Sequence, residues 1–228
     1  MKQLALDIGL QTAPSLDSFF AGPNASALQH LKLWTASQMP SPVPTYLWGD
    51  SGSGKSHLLK AVYAALKAQG LSVGWLDADT HVHLNFDESW VAVVMDDVHL
   101  FNLAQQAMGF NWFVNALTPK SGPPRWVLAA GELPPADLKL RDDLRSRLGW
   151  GHVYALQVLS DPERRAVLRQ EADSRGLFLS EEVMTYMLTR FTRDLSSLMT
   201  LLDHLDQFAL QTQRAITIPL IKSMLEST

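Results

Sequence analysis

The sequence predicts an α/β fold, a parallel sheet of five strands followed by a small helical domain, and three observations point to it. A glycine-rich turn, Gly49-Asp50-Ser51-Gly52-Ser53-Gly54-Lys55-Ser56, lies between the apolar run Tyr46-Leu47-Trp48 and the amphipathic stretch His57–Lys67. Four further short apolar runs, Ser72–Leu76, Trp90–Met95, Arg125–Ala130 and His152–Leu156, are separated by helical stretches, the pattern of buried parallel strands with crossover helices. From Leu159 onward the strand signals stop and helical periodicity continues alone.

The turn matches the phosphate-binding P-loop, G-x-x-x-x-G-K-[ST], at every fixed position and in the strand-to-helix context that motif requires. Gly49, Gly52 and Gly54 can adopt backbone angles closed to other residues, so consecutive N–H groups, Ser53 among them, converge on one phosphate. The helix that starts near Lys55 adds unsatisfied N–H groups and a partial positive charge of roughly half a unit at its N-terminus. Lys55 is expected at the β and γ phosphates, Ser56 at a Mg²⁺ ion, and His57 on the adjoining helical turn. A Gly/Ser surface loop is the competing explanation, and the flanking strand and helix argue against it.

Ahead of this core, Asn24–Met39 reads as a helix capped by Asn24, and Pro40, Pro42 and Pro44 as a stiff linker. Behind it, helices are expected at Asp161–Arg175, Ser180–Arg190, Asp194–Thr212 and Ile218–Glu226. Ser160-Asp161-Pro162 forms a cap with proline in the first turn, Gly176 a C-terminal stop, and Ser180-Glu181-Glu182 the next start. Three regions follow: residues 1–10 as a tail, 11–158 as the nucleotide-binding domain and 159–228 as a helical lid.

Composition narrows the function. A chain of 228 residues with 46% hydrophobic and 18% charged content builds a globular protein with a sizeable core. A formal net charge of −4 argues against broad electrostatic binding to nucleic acid, so any DNA contact must be focal. The absence of cysteine excludes disulfides, thiol catalysis and zinc–thiolate sites. Neither a secretory signal nor a membrane span is legible, which makes a cytoplasmic protein the expectation. His81 and His83 flank Val82 as a candidate metal pair without an evident third ligand, and read better as a loop or strand edge. The seven tryptophans, with Trp48 and Trp126 inside strand runs, suggest core packing rather than base stacking.

The run Val91-Ala92-Val93-Val94-Met95-Asp96-Asp97 ends an apolar strand in two carboxylates beside the expected Mg²⁺. Asp96 is the metal-side candidate, and Asp97 stands where a second acid orients an attacking water. A helix N-cap would also account for Asp here; the P-loop upstream favours the catalytic reading.

These motifs resemble the DnaA family of AAA+ P-loop NTPases, and most closely its shorter, Hda-type members, over nearly the whole chain. The resemblance is carried by Leu16-Asp17-Ser18-Phe19 with Gly22 and Asn24, Tyr46-Leu47-Trp48-Gly49, Asp96-Asp97-Val98, Phe113-Val114-Asn115-Ala116-Leu117, Arg145-Ser146-Arg147-Leu148 with Trp150-Gly151, and Arg193-Asp194-Leu195. It implies that Phe19 and Asn24 lie near the nucleotide base. It further implies that Arg147 is an arginine finger directed at a neighbouring subunit's nucleotide, and that Arg193 is the sensor 2 arginine reaching bound phosphates from the lid. From the residues alone, Arg147 on a solvated face, among Arg141, Arg145, Asp142 and Asp143, and Arg193 as a surface arginine remain open.

Two departures from the family pattern bear on function. At sensor 1 the chain reads Ala130-Gly131-Glu132-Leu133-Pro134-Pro135, so Glu132 replaces the usual shorter polar residue, and the expectation is at most weak intrinsic ATPase activity. The sequence ends at Thr228 where DnaA proper continues into a helix-turn-helix domain, so origin-specific DNA reading is not expected. At the other end, Gln3-Leu4-Ala5-Leu6-Asp7-Ile8 resembles the short peptide by which bacterial proteins bind the replicative sliding clamp, the β subunit of DNA polymerase III. Leu4, Leu6 and Ile8 would fill an apolar groove while the Gln3 amide makes directional hydrogen bonds.

The resemblance therefore implies a negative regulator of replication initiation that holds ADP or ATP with Mg²⁺, binds the sliding clamp, meets DNA indirectly through it, and stimulates ATP hydrolysis by DnaA. It leaves a homo-oligomer open and implies no membrane partner. The competing classes are a DnaC-like helicase loader or other self-contained AAA+ ATPase, which would use Asp97 on its own nucleotide, and a P-loop kinase for a small substrate. The acidic balance and the tail disfavour the first, and Arg193 with the paired Asp96-Asp97 disfavours the second.

Overall fold

The computed structural model describes residues 14–37, 41–80, 84–191 and 195–226. These fall into two compact units that divide after Val158.

In the first unit, five strands, β1 (Thr45–Trp48), β2 (Ser72–Leu76), β3 (Trp90–Met95), β4 (Trp126–Gly131) and β5 (His152–Ala155), form one sheet in the order β2-β3-β4-β1-β5. Every pairing is parallel. Its apolar residues alternate between two cores, as the pleat demands. Val73, Ala92, Val94, Trp126, Leu128, Ala130 and Leu47 face one side, where α1 (Ala25–Ala36) and α2 (Lys55–Ala68) lay down Leu28, Leu31, Leu58, Leu59 and Val62. Leu76, Val93, Met95, Val127, Ala129 and Tyr46 face the other, against Trp112 and Phe113 of α3 (Leu103–Leu117) and Leu144 and Leu148 of α4 (Asp142–Leu148). Burial on both faces is why β3 and β4 read as continuous apolar runs rather than alternating ones.

Trp126 is 1% exposed and stacks on Trp34 of α1 with ring centroids 3.5 Å apart, so the strand tryptophan does serve packing. α3 starts at a capping box in which Asn102 and Gln105 exchange side-chain-to-backbone hydrogen bonds of 3.0 Å each.

The first helix differs from expectation at both ends. It is entered from a 3-10 turn, Gly22–Asn24, and Asn24 caps nothing. Its side chain instead donates to the Gln157 carbonyl at 2.9 Å and accepts from the Gln157 N–H at 2.8 Å, fastening the start of α1 to the segment after β5. The helix ends at Ala36 rather than Met39, because Ser37 is already extended at φ −78°, ψ 134°.

The second unit packs α5 (Asp161–Ser174), α6 (Glu181–Arg190), α7 (Leu195–Thr212) and α8 (Ile218–Glu226) around Leu168, Met184, Met187, Leu202, Leu205 and Ile221. Its signals read as the sequence suggests: Glu163 accepts from both the N–H and the hydroxyl of Ser160, and Gly176 has φ +69° just past α5. Ser180 accepts from the Val183 N–H at the head of α6. Arg175 crosses the bundle to Asp203 at 3.0 Å.

Candidate nucleotide site

At the carboxyl end of β1 the chain turns through Gly49, Gly52 and Gly54, at φ +151°, +80° and +93°, and enters α2 at Lys55. Gly54 occupies the N-cap position and no side chain caps the helix, so its first N–H groups remain available to an anion. A side chain at Gly54 would fail for a second reason: its Cβ would stand 2.7 Å from the Phe19 ring. Phe19 therefore lies across the turn, and the His57 ring meets it at 5.6 Å between centroids. Phe19, the three glycines, Lys55, Ser56 and His57 are thus gathered in one place.

Lys55 is 7% exposed, with Nζ donating to the Gly49 carbonyl at 2.7 Å and the Asp50 carbonyl at 3.0 Å. Burial lowers its pKa, while Asp97, Glu132, Asp96 and Asp50 act in the opposite sense. The Ser53 hydroxyl is buried without a partner. A desolvated ammonium, an orphaned hydroxyl and open helix N–H groups fit the phosphates of a nucleotide.

The metal side also fits. Asp96 is buried at the end of β3, hydrogen-bonded to Ser56, and its pKa is raised, by desolvation first and by Asp97 in addition. A hydroxyl and one carboxylate suit Mg²⁺, which takes few protein ligands and completes its shell from phosphates and water. Among the described residues no group of three or more His, Asp or Glu could hold a metal by itself. When bound, Mg²⁺ would offset charge on the phosphate oxygens, with Ser56 and Asp96 as its protein-side holders.

Asp97 adopts left-handed backbone angles, φ 47° and ψ 45°, unusual for a residue other than glycine, and its N–H donates to Asp96 Oδ1 at 3.0 Å. Glu132 follows β4 and joins the same cluster, 3.6 Å from the His99 ring, which itself stands 4.0 Å from Asp97. Sequence reasoning missed the strut beneath it: the Tyr46 hydroxyl donates to the Leu133 carbonyl at 2.8 Å and holds the Glu132 turn. Burial pushes the Tyr46 phenol well above its ordinary pKa, so it remains a donor. A strand tyrosine among apolar residues gives no local sign of that role.

Asn24, expected near the base, spends its amide on the Gln157 backbone. Arg147 is on α4, with Nη1 donating to the Asp143 carbonyl at 3.2 Å and its guanidinium 4.5 Å from the Phe110 ring centroid. Arg141 and Arg145 pair with Asp143 and Asp142 at 2.7 Å each, whereas Arg147 has no carboxylate within ion-pair distance among the described residues. Arg193, the histidines His81 and His83, and the tail residues Gln3, Leu4, Leu6 and Ile8 lie outside the described residues. Among the described residues no helix is long and apolar enough to cross a membrane.

Residues 161–225 match the family model described as "Hda, lid domain". The chain is similar to domain III of the replication initiation protein DnaA from Thermotoga maritima, at 19% identity, over 93% of this chain and 95% of that one, with a TM-score of 0.73. It is also similar to AMPPCP-bound DnaA from Aquifex aeolicus, at 22% identity over 82% of this chain and 64% of that one, with a TM-score of 0.67. The RuvB Holliday junction branch migration motor of Thermotoga maritima shares the fold at 16% identity, over 94% and 72%, with a TM-score of 0.65. A parallel five-stranded core with a P-loop, sharing its fold with DnaA domain III, is thus followed by a helical unit that matches the Hda lid domain.

Proposed function

We propose that the chain is a negative regulator of DNA replication initiation: it holds ADP or ATP with Mg²⁺ in its own P-loop, docks on the sliding clamp through Gln3–Ile8, and presents Arg147 to the ATP held by DnaA. The observation that carries the reading is the state of Arg147. Of the three arginines on or beside α4 it alone is without an ion-pair partner among the described residues. A planar guanidinium so placed can donate in bidentate fashion to phosphate oxygens of an adjoining subunit, neutralising charge that builds in the transition state. Lys55, Ser56 and Asp96 serve the chain's own nucleotide, and Arg193 in the lid would report its state. DNA is met through the clamp, in keeping with an acidic chain, and the site of action would be the cytoplasm.

A self-contained AAA+ ATPase, such as a DnaC-like helicase loader, is the second reading. The strained backbone of Asp97, which sets a second carboxylate beside Lys55 and Asp96, favours it. ATP turnover by the isolated protein, with and without single-stranded DNA, separates the two. The regulator turns over little alone and raises DnaA's hydrolysis when clamp and DNA are present; a loader turns over unaided and responds to single-stranded DNA.

A further inference from the structure

Two aromatic rings approach the Arg147 guanidinium. The Phe110 ring of α3 lies 4.5 Å from its guanidinium carbon and the Trp150 ring 5.0 Å. Trp150 comes back over the arginine because α4 closes in a tight turn, with the Gly149 N–H donating to the Ser146 carbonyl and the Trp150 N–H to the Arg147 carbonyl at 3.1 Å. The indole is 62% exposed, yet it is not loose: it meets the fully buried Phe113 ring edge-on, with centroids 6.4 Å apart. A large aromatic held in solvent beside an arginine with no ion pair needs a reason, since neither contributes much to the core.

We propose that Phe110 and Trp150 are positioning residues that hold the Arg147 guanidinium in place, so that the N–H donors other than the one spent on the Asp143 carbonyl can meet the phosphate oxygens of a nucleotide on an adjoining AAA+ subunit. The inference rests on the reading that Arg147 acts in trans. Stacking uses the faces of the guanidinium and hydrogen bonding uses its edge, so the two do not compete. A free arginine surrenders much of its rotamer freedom when it engages an anion; one already packed against two rings surrenders less. Neutralising it against a carboxylate, as happens to Arg141 and Arg145, would order it equally well but consume the donors. Aromatic contacts order the group without a carboxylate within ion-pair distance among the described residues.

Two measurements on the full chain test this. In ¹⁵N-edited NMR, the Arg147 Nε–H signal, assigned by its loss in Arg147→Lys, is shifted by ring currents, loses part of that shift in Trp150→Ala, and returns to the position of exposed arginines when Phe110→Ala is added. An unshifted signal in the unaltered protein overturns the cradle. In the assay of DnaA-bound ATP hydrolysis with clamp and DNA, Trp150→Ala lowers the maximal rate about 3- to 10-fold while leaving the half-saturating concentration unchanged. Trp150→Phe restores most of the rate, and Trp150→Ala adds no loss to Arg147→Ala. A raised half-saturating concentration with an unchanged maximal rate makes Trp150 a docking contact and overturns the proposal, as does an additive loss in the double variant. Loss with Arg147→Ala but not with Trp150→Ala refutes the positioning role alone. Full stimulation by Arg147→Ala refutes the trans reading and the positioning role together.

Discussion

Lys55 is where burial and charge conflict most openly, since an ammonium 7% exposed is satisfied by two carbonyls at the mouth of an anion cradle. Lys55→Ala is expected to weaken ATP and ADP binding about 10- to 100-fold, the cost of a charge-assisted hydrogen bond or two. The apo protein should lose no thermal stability, because a desolvated charge leaves with the side chain. Calorimetric titration and a melting curve check both halves. His30 gives a second test. Its ring bonds Thr45 Oγ1 at 2.9 Å and lies 4.6 Å from the His152 ring, and burial first, His152 second, lower its pKa below 6.5. The unfolded chain therefore binds the proton more readily. Stability should be fully present above about pH 6.5 and fall as pH drops through the lowered folded value. A slope in melting temperature between pH 7 and 5.5 that His30→Gln leaves unchanged would contradict this. At this scale the sequence showed which residue types cluster but not how they are spent. Asn24 looked like a helix cap and became a cross-chain fastener; Arg145 and Arg147 looked alike until Asp142 claimed the first.

Elements were more legible than residues. β2 and β3 match their apolar runs to the residue, and β1, β4 and β5 to within one, because strands buried on both faces leave uninterrupted hydrophobic stretches. The 3-10 turns at Gly22–Asn24, Val98–Leu100 and Pro135–Asp137 left no such trace: three residues are too few for periodicity to register. The turn carrying Glu132 is the most consequential of the hidden features, being set by Tyr46 on a neighbouring strand, 87 positions away. Tyr46→Phe removes that donor and leaves the Leu133 carbonyl unpaired, so it should cost about 1 to 2 kcal/mol in a denaturant titration. If the Glu132 turn is unsupported by the phenol, stability will be unchanged. The junction into β5 is equally constrained. A Cβ at Gly151 would run into the Pro44 carbonyl, and the neighbouring His152 N–H donates to that same oxygen at 2.9 Å. Gly151→Ala should destabilise the first unit by about 2 to 4 kcal/mol, read as a lowered midpoint of chemical unfolding.

For the whole molecule, the division after Val158 separates the sheet that carries the P-loop from a helical bundle of the Hda lid type. Periodicity exposed the bundle because four amphipathic helices with capping residues at Ser160 and Ser180 are a strong local signal. What we propose for the bundle and the tail rests on resemblance alone, since Arg193 and Gln3–Ile8 carry no chemistry that spacing alone can assign and lie outside the described residues. Deleting Met1–Ile8 should abolish capture by the sliding clamp and leave nucleotide affinity unchanged; retained clamp affinity in the truncated chain would place docking on the folded body. The central claim is that the hydrolysis this chain controls is a partner's. The direct measurement is the rate at which DnaA-bound ATP is hydrolysed with the protein, clamp and DNA supplied singly and together, using the unaltered chain, Arg147→Ala and Arg145→Ala. Stimulation should require all three components and survive Arg145→Ala. It should fall about 10³-fold or more with Arg147→Ala, the scale on which arginine fingers act. Undiminished stimulation by Arg147→Ala at saturating clamp would contradict the account.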